Sequence, residues 1–322
     1  MIIWGIFKQE GTAALAVVDD QCRQVVYTAS VAGADDTKLD AAWVDTAVQV
    51  AGQPDHVVWV QSGPRPHLKK YLPKSWLVHA ARAQLTEAGV QADVSICSTD
   101  RAAAAGVFYT SGLGSAAVLS LCSHRDNTTA KIWSAENGSL TCVRSSDLHH
   151  SIDVIYRATA AVLGLDPADH DGMRNLARSC GCSADLVHYL ICTHFTDEYS
   201  LRVSHNHEES IFQALKKDMY LGALVKMPDG RQRLAATILS LIDRAVNDLI
   251  ELATDATTEA DLCLAGPDIM FDAAHNFKFN NIICSPWSAE VTCAVGGAAV
   301  HLSVPLNPGT DGANSRRRRP TR

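Results

Sequence analysis

The chain has 322 residues, of which 47% are hydrophobic and 20% are charged, and its formal charge is −7 at neutral pH. This composition excludes an intrinsically disordered chain, and no apolar run reaches the roughly 18 residues that a membrane span needs. The acidic charge excludes a global basic field that would recruit nucleic acid, since the only basic cluster is residues 316–319 with Arg322.

The ten cysteines are scattered along the chain, mostly inside apolar segments. This is typical of buried, reduced thiols and not of the disulfide framework of a small secreted domain. The first residues also lack the basic region and cleavage site of a signal peptide. We therefore expect a cytoplasmic protein.

The first third of the chain alternates short strands with helical segments. Apolar runs bounded by polar turns predict strands at residues 2–7, 13–18, 24–29, 56–61 and 93–97. A helical period lies between the last two strands, at residues 75–89, and a further helix is predicted at residues 101–109.

The pattern then starts again. Strands are predicted at 116–122, 130–136 and 139–146, and the Asn137-Gly138 pair between the last two indicates a hairpin. A long helical tract follows at 151–254, then a strand at 261–265, a helix, a strand at 281–285 and a helix at 289–302.

A β-meander followed by α/β units thus occurs twice, which predicts an α/β fold with two related lobes and a cleft between them. We assign the first lobe to residues 1–112 and the second, with a helical insertion, to residues 113–304. Residues 305–322 are rich in Pro, Gly, Asn and Arg, and we expect them to form an unstructured basic tail.

Four segments resemble the O-carbamoyltransferase family of the nodulation-factor and cephem type. Residues 104–121, AAGVFYTSGLGSAAVLSL, are similar to the family's "HAASAFYPSPFEEAAVLTLDG", and the segment DLCLAG at 261–266 is similar to "NLCLAGG". The other two similar segments are residues 3–15 and 150–164. Their order and spacing match the family over nearly the whole chain.

The resemblance implies an actin-like (ASKHA, ribonuclease-H-like) two-lobed fold with mixed sheets and flanking helices. In the family, this domain passes a carbamoyl group from a carbamoyl adenylate, made with ATP, to a hydroxyl of an acceptor. A smaller C-terminal domain makes the adenylate. Because the chain ends soon after the last actin-like helix, we expect it to lack that domain.

The resemblance also implies a metal site of two histidines four residues apart on one helix and a later aspartate. Thr99 and Ala103 stand at the two histidine positions, and Glu290 stands at the aspartate position. Alanine has no donor atom, and threonine is a poor ligand for a divalent metal. We therefore expect no tightly bound metal ion.

Positions that the resemblance assigns to ATP or carbamoyl adenylate are also altered. Cys122 and Ser123 replace an Asp-Gly pair, and Gly266 is followed by proline where the family has a second glycine. Gly11 and Gly296 remain as further candidate cofactor-binding residues.

Three residues are candidates for catalysis by position: Glu10, His150 and Glu290. His150, with His149, could act as an acid–base pair near the acceptor, but a structural pair at the start of a helix is the favoured interpretation. Cys122 could be a nucleophile, although a buried thiol at a strand end fits better.

Two functional hypotheses follow. In the first, the chain is a carbamoyltransferase, or a subunit of one, that modifies a small-molecule hydroxyl in a biosynthetic pathway. In the second, it is a pseudoenzyme that scaffolds or regulates an active relative. The expected partner is therefore an active family member or a second copy of the chain, and neither nucleic acid nor membrane is expected to bind.

Overall fold

Two β-sheets with the same strand order organise the protein. The structure is a computed structural model that describes residues 1–9, 12–32, 39–61, 73–121, 130–146, 152–166, 170–194, 208–266, 278–308 and 317–318. Among these residues, no helix is both long and apolar enough to cross a bilayer.

The first sheet has the order β3-β2-β1-β4-β5. Its first three strands form an antiparallel meander, and β4 and β5 add in parallel to β1. The strands are β1 (Ile2–Gln9), β2 (Thr12–Asp19), β3 (Gln24–Ala32), β4 (His56–Gln61) and β5 (Asp93–Ser98). The helices of this half are α1 (Ala41–Ala51), α2 (Lys74–Glu87) and α3 (Thr99–Ser111), of which our sequence analysis did not identify α1.

The second sheet repeats that order as β8-β7-β6-β9-β10 and adds one short strand, β11, at its edge. Again a meander comes first and two parallel strands follow. The strands are β6 (Ser115–Leu121), β7 (Ala130–Glu136), β8 (Ser139–Ser146), β9 (Asp261–Ala265), β10 (Asn281–Cys284) and β11 (Arg317–Arg318). Asn137 and Gly138 both have positive φ, at 50° and 78°, as the predicted hairpin turn requires. The predicted duplication of a meander with α/β units is therefore confirmed.

Among the described residues between β8 and β9, six helices lie in the predicted helical tract. They are α4 (Ile152–Val162), α5 (His170–Ala177), α6 (Ala184–His194), α7 (Glu208–Lys217), α8 (Met219–Leu224) and α9 (Gly230–Ala256). The longest, α9, buries a stripe that includes Leu234, Ile238, Leu241 and Leu249 in one cluster with Leu119 of the second sheet. This stripe has the three-to-four residue spacing that the sequence showed.

Helices α3 and α10 (Ala289–Leu302) lie in a central layer between the sheets. One buried cluster joins Phe7 of the first sheet and Val118 of the second to Phe108 of α3 and Ala294 of α10. The predicted second lobe includes residues 289–302, yet α10 packs on the first sheet as well. Its side chains are small enough for a helix to fit between two sheets.

The prediction of an unstructured tail from residue 305 is wrong at its start. Leu306 is buried, and its N–H donates to the carbonyl oxygen of Tyr109 at 2.7 Å. Asn307 donates to the carbonyl oxygen of Arg23 and accepts from the N–H of Val25. Local composition missed these contacts because they join residues about 200–280 positions apart. Residues 309–316 and 319–322 of the tail, and the helix predicted between β9 and β10, lie outside the described residues.

Candidate functional site

The first turns of α3 and α10 lie side by side at one end of the central layer. The thiol of Cys293, in α10, lies 4.0 Å from the carbonyl oxygen of Thr99, the first residue of α3. Glu290 precedes Cys293 by about one helical turn, and Ala103 follows Thr99 by another. The structure therefore brings Thr99, Ala103 and Glu290 to neighbouring helix ends.

This trio has little capacity to coordinate a cation. Thr99 and Ala103 are only 7% and 5% exposed, and Glu290, half-buried, carries the one carboxylate. Within the part of the chain that the structure describes, no group of three or more His, Cys, Asp or Glu side chains could hold a metal ion. The chemistry of these donors does not fit the metal that the resemblance implies.

Gly296 lies at the crossing of the two helices. A Cβ atom there would lie 1.7 Å from the carbonyl oxygen of Ala102, so only glycine allows this approach. Gly106 of α3 likewise faces the backbone of Thr292 in α10. The structure thus gives Gly296, a candidate for cofactor binding, a role in helix packing.

An ion pair beside Thr99 was missed by the sequence analysis. Asp100, only 7% exposed, forms a salt bridge through Oδ2 with the ammonium of Lys131 in β7. The pair therefore links α3 to the second sheet. Ser120 supports it, since its hydroxyl donates to the carbonyl oxygen of Lys131 at 3.4 Å and accepts from Trp133 Nε1 at 2.9 Å. The one signal in the sequence is a lysine between the apolar residues Ala130 and Ile132 of a predicted strand.

The ion pair also sets the local electrostatics. Ser120 and Leu121 form the carboxyl end of β6, directly before the Cys122 and Ser123 positions. Lys131 therefore supplies a positive charge near this strand end, where the resemblance implies a phosphate group. The carboxylate of Asp100 partly neutralises that charge.

Two buried thiols lie at opposite ends of α3. Cys97 precedes Thr99 by two residues, whereas Cys263 lies beside Ser111 at the other end of the helix. Burial raises the pKa of Cys97, at the end of β5, to about 11. Burial also raises the pKa of Cys263, in β9, to about 12. Both therefore stay protonated at neutral pH, whereas a nucleophilic cysteine has to form a thiolate.

The remaining candidates are only partly covered by the structure. Gly266 is half-buried and follows directly after β9. The other candidate residues, namely Glu10, Gly11, Cys122, Ser123 and His150, lie outside the described residues.

Comparison with known proteins identifies a sequence family. The family model described as "Carbamoyltransferase N-terminus" matches residues 62–300, which include α3, Lys131 and most of α10. A comparison with curated proteins finds no match.

Solved structures show the same fold at low sequence identity. Component A of the (R)-2-hydroxyglutaryl-CoA dehydratase of Acidaminococcus fermentans superimposes with a TM-score of 0.53 and 15% identity, covering 93% of this chain and 96% of that one. The activator of the 2-hydroxyisocaproyl-CoA dehydratase from Clostridium difficile, with bound ADPNP, gives 0.53 and 8% identity, covering 94% of each chain. These likenesses confirm the actin-like, two-lobed fold.

Proposed function

Because the chain belongs to the carbamoyltransferase N-terminal family, we propose that it is a catalytically inactive member that binds and regulates an active carbamoyltransferase-like partner. The observation that carries this proposal is the donor set at the start of α3. Thr99 and Ala103 stand where the family resemblance implies two metal-binding imidazoles, and both are buried in the central layer.

The packing around these two residues supports the same conclusion. The backbones of α3 and α10 are in contact at Gly296, so the space between the helices is filled by the helices themselves. An imidazole at position 103 would need extra volume in this closely packed layer. The small side chain of Ala103 therefore suits this packing better than an imidazole does.

The ion pair next to Thr99 does not by itself disfavour a metal ion. Lys131 places an ammonium group beside the first of these positions, but the carboxylate of Asp100 is paired with it. Because the two opposite charges offset each other, it is the missing ligands that disfavour a metal ion.

A second candidate function is a subunit that takes part in O-carbamoyl transfer to a hydroxyl of a small molecule. The two-lobed fold and the ammonium group of Lys131 favour it, because an ammonium near the end of β6 suits the phosphate of ATP or of a carbamoyl adenylate. The activator that shares the fold has ADPNP bound, which makes ATP the nucleotide to test.

Pyrophosphate release distinguishes these functions. The purified chain is given ATP, carbamoyl phosphate and a divalent metal, first alone and then with an intact carbamoyltransferase of the family. We expect no release by the chain alone and a changed rate in the mixture, whereas bovine serum albumin at the same concentration changes nothing.

Two outcomes contradict the proposal. Release by the chain alone would demonstrate an active site of its own. An unchanged rate in the mixture, with no complex detected by sedimentation, would contradict the regulation of an active partner.

A further inference from the structure

Helix α8 is apolar on both of its faces. Its inward face buries Leu221 and Leu224 in the core of the helical region. Its outward face carries Met219 and Tyr220, which are 89% and 47% exposed. A helix that is apolar all round is normally buried on every side, because its outward side chains gain nothing from contact with water. The outward face of α8 therefore has the character of a covered surface.

This face continues for one turn beyond α8. The N–H groups of Lys226 and Met227 each donate to the carbonyl oxygen three residues earlier, so the chain stays helical there. Met227 is 59% exposed. It follows Tyr220 by seven residues, with the exposed Ala223 between them, and this spacing places all three side chains on one face. Met219, Tyr220 and Met227 thus form one apolar surface, the α8 patch.

Tyr220 is held in place before any partner binds. Its ring centroid lies 4.5 Å from that of Tyr189. The hydroxyl of Tyr189 donates to Oδ2 of Asp218, and Oδ1 of Asp218 caps the start of α8. An aromatic side chain that is already fixed loses little conformational entropy on binding, and tyrosine is enriched among the residues that dominate interfaces. Tyr220 therefore has the properties of a binding anchor.

The charges beside the α8 patch are mostly positive. Lys216 and Lys217 form the last turn of α7, directly before the patch, and Lys226 lies on its outward face. All three side chains are exposed. The segment from 212 to 230 contains two acidic residues, the internally bonded Asp218 and the exposed Asp229. The surface therefore complements a partner that surrounds apolar side chains with carboxylates.

We propose that the α8 patch docks an acidic amphipathic helix of another protein. Apolar side chains of that helix cover the patch, and its carboxylates lie near Lys217 and Lys226. An anionic membrane would instead present its charge to the whole molecule, whose formal charge is −7 and which it would repel. The inference does not depend on the proposed function, because α8 contributes no residue to the candidate site.

Fluorescence anisotropy with the full chain tests the proposal. The probe is a fluorescein-labelled helical peptide of about 18 residues, with leucines along one face and glutamates on the other. A second peptide has lysines in place of the glutamates. We expect the glutamate peptide to bind at least about tenfold more tightly than the lysine peptide, and its affinity to fall as the salt concentration rises.

Variants locate the surface. Tyr220→Ser, Met227→Ser and Lys226→Glu are each expected to weaken binding of the glutamate peptide by at least about fivefold. Trp76→Ser removes a side chain of α2 that is 67% exposed, and Arg82→Glu makes the same change in net charge as Lys226→Glu at an exposed position of α2. Both controls are expected to keep the affinity. Circular dichroism checks that all five variants fold.

Four outcomes would overturn the proposal. The first is no binding of the glutamate peptide, as expected if the patch is covered within the chain. The second is equal binding of the two peptides, and the third is an unchanged affinity in Tyr220→Ser and Met227→Ser. The fourth is binding to phosphatidylserine vesicles, or self-association in sedimentation velocity, that is lost in Tyr220→Ser while the peptide does not bind.

Discussion

His56 and His301 form a stacked pair that joins the first sheet to the end of α10. Their ring centroids lie 3.9 Å apart with an angle of 19° between the planes, and His56 Nε2 is 2.8 Å from the hydroxyl of Ser95. Burial lowers the pKa of His56, and the neighbouring His301 lowers it further, against a smaller opposite effect of Asp93. The folded protein therefore favours the neutral imidazole.

This preference predicts a pH dependence of stability. The pKa of His56 is lower in the folded protein than in the unfolded chain, where it is about 6.5. The neutral imidazole therefore contributes fully to stability above the unfolded pKa, and this contribution is lost as the pH falls through the lowered pKa of the folded state. We expect the melting temperature to drop between about pH 7.5 and about pH 5.5, and to drop less in His301→Asn. His79→Asn, at an exposed histidine of α2, is the control. An unchanged profile in His301→Asn would contradict the prediction.

Ala103 tests the packing at the candidate site. An imidazole at this buried position overfills the central layer, so Ala103→His is expected to lower the free energy of unfolding by about 1–3 kcal/mol. Urea denaturation measures the difference. Arg101→His, at an exposed position of the same helix, is expected to change it by less than about 0.5 kcal/mol. Equal stabilities of the two variants would show that the site has room for an imidazole.

Among the helices, the crossing of α3 and α10 makes a strict demand on the sequence. Because a methyl group at Gly296 would lie 1.7 Å from the carbonyl oxygen of Ala102, the two helices must separate in Gly296→Ala. We expect a loss of about 2–3 kcal/mol in unfolding free energy by chemical denaturation. Gly222→Ala in α8, where a Cβ meets nothing within 4 Å, is instead expected to be neutral or slightly stabilising. Equal effects would argue against the close crossing.

Asp218 connects α6 to α8. Its Oδ1 accepts from the N–H of Leu221 at 2.9 Å, and its Oδ2 lies 2.5 Å from the hydroxyl of Tyr189 and 2.8 Å from His194 Nε2. Burial acts to raise the pKa of Asp218, but the hydrogen bonds from Tyr189, Leu221 and His194 hold it below its usual value. Burial, together with Asp218, raises the pKa of Tyr189 to about 12.

Asp218→Asn tests this connection. The amide keeps an oxygen for Leu221 but offers Tyr189 and His194 one acceptor fewer, so we expect a loss of about 1–3 kcal/mol near neutral pH. The difference should shrink as the pH falls through the lowered pKa of Asp218, since the stabilisation by the carboxylate is then lost. Asp229→Asn, at an N-cap of α9 whose side chain makes no capping bond, is the control. A constant difference down to acid pH would contradict this assignment.

At the scale of the whole molecule, we expect residues 305–308 and residues 309–322 to contribute differently to stability. Only the first of these segments contains the contacts of Leu306 and Asn307. Deletion of residues 309–322 leaves the Leu306 and Asn307 contacts in place, so we expect the melting temperature to stay nearly unchanged. Deletion from residue 305 removes the buried Leu306 side chain and its bond to Tyr109, and should lower the melting temperature clearly. Calorimetry of the two truncated chains makes the comparison. A large effect of the shorter deletion would mean that the pairing of β10 with β11 stabilises the second sheet.

The elements that sequence patterns predicted well are those with a strong local signal. The strand at His56–Gln61 is a short apolar run between turns, and its bounds match the prediction. Helix α10 also matches, because small residues make up most of Ala289–Leu302 and Ser288 caps its start. Helix α1 was not identified.

What the amino-acid sequence determined was therefore the kind of most elements, their order and the duplicated lobes. That Thr99 and Ala103 bind no metal stays a prediction, which rests on the family resemblance and on the poor donors of these two side chains. Tertiary structure alone decided that α10 lies between both sheets, that Leu306 docks near Tyr109, and that Asp100 pairs with Lys131. The physical reason is that each of these contacts joins residues far apart in the chain, where local periodicity carries no information about which surfaces meet.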